Sequence, residues 1–132
     1  MNAKRGLNAY QSNQTRTRAE VASPYRLVVI MYENLIDNLS KAAGAIERKD
    51  MALRGESIGK CMDILGALSG ALDHEIGGEM SQNLAQIYQY CNTRLLEATR
   101  TNSAEPIDEV MDLMTRIKGS WDQIGGQLNG GE

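Results

Sequence analysis

A single histidine and two cysteines bound the chemistry open to this chain of 132 residues. His74 is its only imidazole, so a serine nucleophile would have no other base to activate it. Phosphotransfer through a bundle histidine would also have to use His74. There Asp73 and Glu75 flank the ring and would repel a phosphate. The plainer reading of His74 is a solvated residue beside a helix break. A di-iron centre of the helical-bundle type needs a Glu-x-x-His from each of two helices, and one histidine excludes it. Cys61 and Cys91 are not spaced as a CxxC pair, so they do not read as a metal or redox site. Both fall on apolar stripes, where they read as free core thiols, with a buried disulfide as the alternative. No glycine-rich loop follows a strand pattern, so no phosphate cradle is expected. The residues supply no catalytic constellation, no metal site and no cofactor site, and the chain does not read as an enzyme.

The elements that carry these residues are helices. The stretch Glu56 to Leu96 holds two apolar patterns joined at Gly77 and Gly78. Before the break, Ile58, Cys61, Met62, Leu65, Leu68 and Leu72 recur in steps that put them on one helical face. After it, Leu84, Ile87, Tyr88, Cys91, Leu95 and Ala98 do the same. Paired glycines end one helix and let the chain reverse, because glycine reaches backbone angles that other residues avoid. Two helices joined so closely lie antiparallel.

Two further helices flank this hairpin. Ser23 and Pro24 open the first, since serine accepts from free amides and proline at the first position loses no hydrogen bond. Its stripe is Leu27 or Val28, Met31, Leu35, Leu39, Ala42 and Ile46, ending near Lys49. Val29, Ile30, Tyr32 and Ile36 widen the apolar surface, so it is covered from more than one side or leaves a face for a partner. Asp50 caps the second helix, predicted over Met51 to Leu72. Its interior Gly55, Gly59, Gly66 and Gly70 each cost about 0.5–1 kcal/mol relative to alanine. Either those glycines permit close approach by another helix or packing tolerates them. The third helix is predicted from Glu79 to Thr101. The fourth follows a turn capped by Asn102 or Ser103, with Asn102 and Glu105 spaced as a capping box. Its seam is Ile107, Val110, Met114, Ile117, Trp121, Ile124 and Leu128. The fold class is therefore all-α: an antiparallel up-and-down four-helix bundle over residues 23–128. Residues 1–22, polar and unpatterned, read as a flexible N-terminal arm that cannot bury enough surface to order itself.

Composition narrows the partners. The net charge of -3 argues against nucleic acid. The N-terminus has no apolar run after its basic residues, and no apolar stretch approaches the roughly 20 residues of a membrane span. A cytoplasmic protein without membrane insertion is expected. What remains is a helical bundle that binds something through an apolar surface, or a bundle whose apolar surplus is thick core or a homodimer seam.

Several short motifs carry a likeness to a known family. They are Asn8-Ala9-Tyr10, Ser23-Pro24, Met31-Tyr32, Gly55-Glu56-Ser57-Ile58, the Leu72-Asp73 to Gly77-Gly78-Glu79 hinge and Asn83-Leu84 with Ile87-Tyr88-Gln89-Tyr90. Arg94-Leu95-Leu96 and Trp121 complete the series. In this order and spacing, over about residues 7 to 125, the chain resembles the flagellar secretion chaperone family, FliS. The resemblance implies an antiparallel bundle that binds the disordered C-terminal segment of flagellin in the cytoplasm. It implies that this prevents premature polymerisation and delivers the subunit to the gate protein of the flagellar type III export apparatus. It also implies that an N-terminal arm covers part of the apolar surface when flagellin is absent. Leu7, Ala9 and Tyr10 would be the arm's contact residues. On the body, Ile30, Ile58, Ile64 and Leu68 are the candidate groove residues, although periodicity does not separate core from groove there. Tyr25, Asn92 and Asn34-Leu35 depart from the family pattern. Two readings from other classes stand beside it: a phosphotransfer module using His74, and a structural homodimer.

Overall fold

The computed structural model describes residues 24–72 and 74–130, and their side chains except at 74–77 and 124–130. The predicted arm, with Leu7, Ala9 and Tyr10, and the side chain of His74 lie outside that description. Four helices make up the described chain, with no strand among the described residues: α1 (Pro24–Arg48), α2 (Met51–Gly70), α3 (His74–Thr101) and α4 (Glu105–Gly130). α1 packs on α2 and α4, and α3 closes the ring against the same two helices. Short connections make successive helices antiparallel.

α1 buries the predicted stripe, Leu27, Met31, Leu35, Leu39, Ala42 and Ile46, and also Val29, Ile30, Tyr32 and Ala45. It is thus covered on more than one side. Its end explains the sharp turn that follows. Lys49 takes a left-handed φ of 58°, its N–H donates to Ile46 O at 3.1 Å, and Asp50 N–H donates to Ala45 O at 2.8 Å. That pair of bonds satisfies the last carbonyls of α1 in the Schellman pattern, with lysine where glycine is the usual residue. Asp50 then caps α2, its Oδ1 accepting from Leu53 N–H at 3.1 Å.

Two boundaries differ from the sequence expectation. α2 stops at Gly70, where the expected end was Leu72. Ala71 N–H reaches back to Ala67 O at 3.1 Å and Leu72 N–H to Ser69 O at 3.3 Å, which tightens the last turn. α3 begins at His74, ahead of the expected Glu79, and breaks inside itself at Gly78. There φ is 52° and ψ is -124°, a region only glycine enters without strain. The glycine hinge is present, but a helical turn precedes it.

The α3–α4 turn also departs from expectation. Asn102 has a left-handed φ of 51° and terminates α3, with Ser103 N–H donating to Ala98 O at 3.3 Å. Its side chain accepts from Arg54, so it forms no capping box with Glu105. Ser103 Oγ serves the start of α4 instead, accepting from Glu105 N–H at 3.3 Å.

Leu65, Leu95, Ile107, Val110 and Met114 join the α1 stripe in one core cluster, and Ile117 and Trp121 pack against it. Cys61 and Cys91 sit in this cluster as free thiols. Burial pushes the Cys61 thiol up to about 12 and the Cys91 thiol up to about 11. Both therefore stay protonated and poorly nucleophilic at neutral pH.

Candidate functional site

The helical faces that the bundle leaves uncovered are set by how α2 and α3 are rotated. On α2 the side chains at Ile58, Cys61, Leu65 and Leu68 point into the core. Gly55, Gly59, Gly66 and Gly70 fall together on another face, by their spacing of four, seven and four. A Cβ added at Gly55, Gly59 or Gly66 would meet nothing within 4 Å. Among the described residues, nothing packs closely on the strip at those three positions.

α3 borders the strip with Ala85, Tyr88, Gln89 and Asn92, spaced three and four apart and so on one face. Between these residues and Gly66, Ser69 and Gly70 lies an open groove of about 490 Å³. Leu96 continues the α3 face one turn further and is 56% exposed. Met51 continues the α2 face at the same end of the bundle and is 53% exposed. Asn92 stands in the groove wall with an Oδ1 that has no hydrogen-bond partner among the described residues.

The opposite side of α3 is fastened to α4. Arg94 Nε donates to Glu109 Oε1 at 2.6 Å, and Tyr90 OH donates to Glu109 Oε2 at 2.6 Å. The Tyr90 hydroxyl, then the Arg94 guanidinium, hold the Glu109 carboxyl below its ordinary range. Both carboxylate oxygens are engaged, so the rotation of α3 is fixed with its Ala85–Gln89–Asn92–Leu96 face outward. Behind the groove, the Tyr88 and Tyr32 hydroxyls hydrogen-bond to each other in the core. Burial raises the pKa of both phenols, so the pair stays neutral.

The four body residues expected at a groove are all buried, Ile58, Ile64 and Leu68 within the core cluster and Ile30 outside it. Ile30 is 1% exposed, Ile58 4%, Ile64 5% and Leu68 3%. The groove is floored instead by glycine, and the α3 residues that wall it were not among the candidates. Only the repeated glycine spacing on α2 signalled that face in the sequence. Among the described residues, no group of three or more His, Cys, Asp or Glu is placed to hold a metal ion. No helix among them is long and apolar enough to cross a membrane.

The sequence model of the family described as "Flagellar protein FliS" matches residues 6–128. The flagellar secretion chaperone FliSB of Pseudomonas aeruginosa is 36% identical over 124 residues, covering 94% of this chain and 98% of that relative. The flagellar secretion chaperone FliS of Salmonella typhimurium is 33% identical over 120 residues, covering 90% and 89%. That of Vibrio cholerae is 30% identical over 118 residues, covering 89% and 87%. These proteins are named as chaperones, not as enzymes. On a family match that spans the four helices, and on relatives aligned along nearly their whole length, the chain belongs to the FliS family of flagellar secretion chaperones.

Proposed function

We propose that this chaperone binds the disordered C-terminal segment of flagellin in the cytoplasm, keeps it from polymerising before export, and hands it to the flagellar type III export apparatus. The observation that carries the reading is the open face between α2 and α3. A glycine floor lets a helix approach closely, and Met51 and Leu96 offer exposed apolar contacts. An amphipathic segment that orders as a helix against such a groove masks its own apolar face. The cost of ordering that segment limits the net affinity, so release at the export gate requires neither covalent chemistry nor nucleotide.

In this reading Ile58, Ile64 and Leu68 hold α2 in register behind the groove. Leu7, Ala9 and Tyr10 are assigned to the arm on resemblance alone. Calorimetric titration with a peptide from the flagellin C-terminus of the same organism tests the proposal. Saturable 1:1 binding with a negative heat-capacity change, and a gain of helix by circular dichroism, are expected. Absence of binding would sink it.

A further inference from the structure

Besides Tyr88, whose hydroxyl is taken by Tyr32, three residues with hydrogen-bonding side chains line the α2–α3 groove: Ser69 on α2, and Gln89 and Asn92 on α3. Asn92 is distinguished by its oxygen. Oδ1 is buried and has no hydrogen-bond partner among the described residues, while the residue as a whole is half-buried at the groove. An unpaired buried amide oxygen destabilises a fold, and nearly all such groups in folded proteins are paired. α3 does not roll to relieve it, because Glu109 holds Tyr90 and Arg94 on the opposite side of the helix. Leucine or alanine at this position would carry no such cost, so packing of the bundle does not explain an asparagine there.

We propose that Asn92 is the specificity-determining residue of the groove: it selects a client helix that sets a hydrogen-bond donor against it, and it rejects a helix whose face is wholly apolar. The donor is a hydroxyl, amide or ammonium group on the client. The groove is open, so turning the Asn92 side chain about its own bonds aims the oxygen at such a donor, and the amide N–H groups serve a client acceptor. An apolar helix in the same place leaves the oxygen unpaired and buries the rest of the amide with it. A site built to hydrogen-bond discriminates in this way, because the penalty falls on the partner that lacks the group. Exposed Met51 and Leu96 supply apolar contact, and Asn92 supplies choice. The proposal rests on the groove being the flagellin site.

The experiment compares two peptides by calorimetry on the full chain. One is the flagellin C-terminal peptide, and the other is a designed helix of equal length with only leucine and alanine on one face. Each is titrated into the wild type, Asn92→Leu and Asn92→Ala, with melting curves showing that the variants fold. Asn92→Ala, which only shortens the side chain, carries the test if leucine disturbs the helix. The wild type is expected to prefer the flagellin peptide. Both variants are expected to bind that peptide about tenfold more weakly and the apolar helix no more weakly than the wild type does. Unchanged flagellin-peptide affinity in both variants overturns the role of Asn92 and leaves the flagellin reading intact. A loss with leucine and none with alanine marks crowding of the groove and overturns it as well. So does a wild type that binds the two peptides equally. A flagellin peptide that does not bind the wild type overturns the flagellin reading and this proposal with it.

Discussion

Arg54 Nη1 donates to Asn102 Oδ1 at 2.9 Å, which ties the first turn of α2 to the α3–α4 turn. The bond gives Asn102 a second task besides ending α3 in a left-handed conformation. Lys49, in the same conformation at the end of α1, is more than a third exposed, and its backbone strain is not offset by such a bond. Lys49→Gly is therefore expected to stabilise the fold by about 1 kcal/mol. Asn102→Gly gains less strain relief and loses the Arg54 bond, so it is expected to stay within about 0.5 kcal/mol of wild type. Urea unfolding of the two variants checks the contrast, and equal gains would remove the role given to Arg54.

Gly78 sits at φ 52° and ψ -124°. A side chain there is strained even though a Cβ would meet nothing within 4 Å. Gly78→Ala is expected to cost about 1–3 kcal/mol, from backbone strain alone. A melting temperature equal to wild type would show that the hinge relaxes without cost.

The exposed glycines of α2 predict a trade between stability and binding. Gly59→Ala with Gly66→Ala meets no steric obstacle and removes two helix-interior glycines, for a gain of about 1–2 kcal/mol in unfolding free energy. Gly66→Leu fills the groove floor and is expected to weaken flagellin-peptide binding about tenfold, or roughly 1.4 kcal/mol, while the fold keeps its stability. Undiminished affinity in Gly66→Leu would place the client elsewhere on the bundle.

The two buried thiols set an alkaline limit. Cys61 is pushed up to about 12 and Cys91 up to about 11, whereas unfolded thiols ionise near their ordinary value, about 8.5–9. Above that value the unfolded chain holds fewer protons than the folded one, so stability falls as pH rises. The slope from both thiols approaches about 2.7 kcal/mol per pH unit between pH 9 and 11. Urea unfolding under reducing conditions at pH 8, 9 and 10 measures it. A Cys61→Ala, Cys91→Ala variant is expected to show a shallower fall, and equal slopes would assign the effect to other groups.

Apolar residues at three- and four-residue spacing determined four helices and their inward faces. The positions Leu35, Leu39, Leu65, Leu95, Val110 and Met114 all lie in the core. The glycine break and the Asp50 cap were equally legible, because each rests on local backbone geometry. Family membership was legible from short motifs in order, and the family match supports it. What the sequence left open was which face of α2 stays uncovered. Ile58, Ile64 and Leu68 look like a groove or a core with equal justice, since periodicity defines a face but not the neighbour that covers it. Only the placement of α1 and α3 around α2 turned the isoleucines inward and the glycines outward. The same holds for Asn102, whose spacing fits a capping box until Arg54, 48 residues earlier, takes its oxygen. Tyr25, Tyr32, Tyr88 and Trp121 likewise share no local pattern. Tyr32 meets Tyr88, and Tyr25 meets Trp121, because tertiary packing sets α1 beside α3 and α4, and hydrogen bonds between residues so far apart in the chain leave no trace in local spacing.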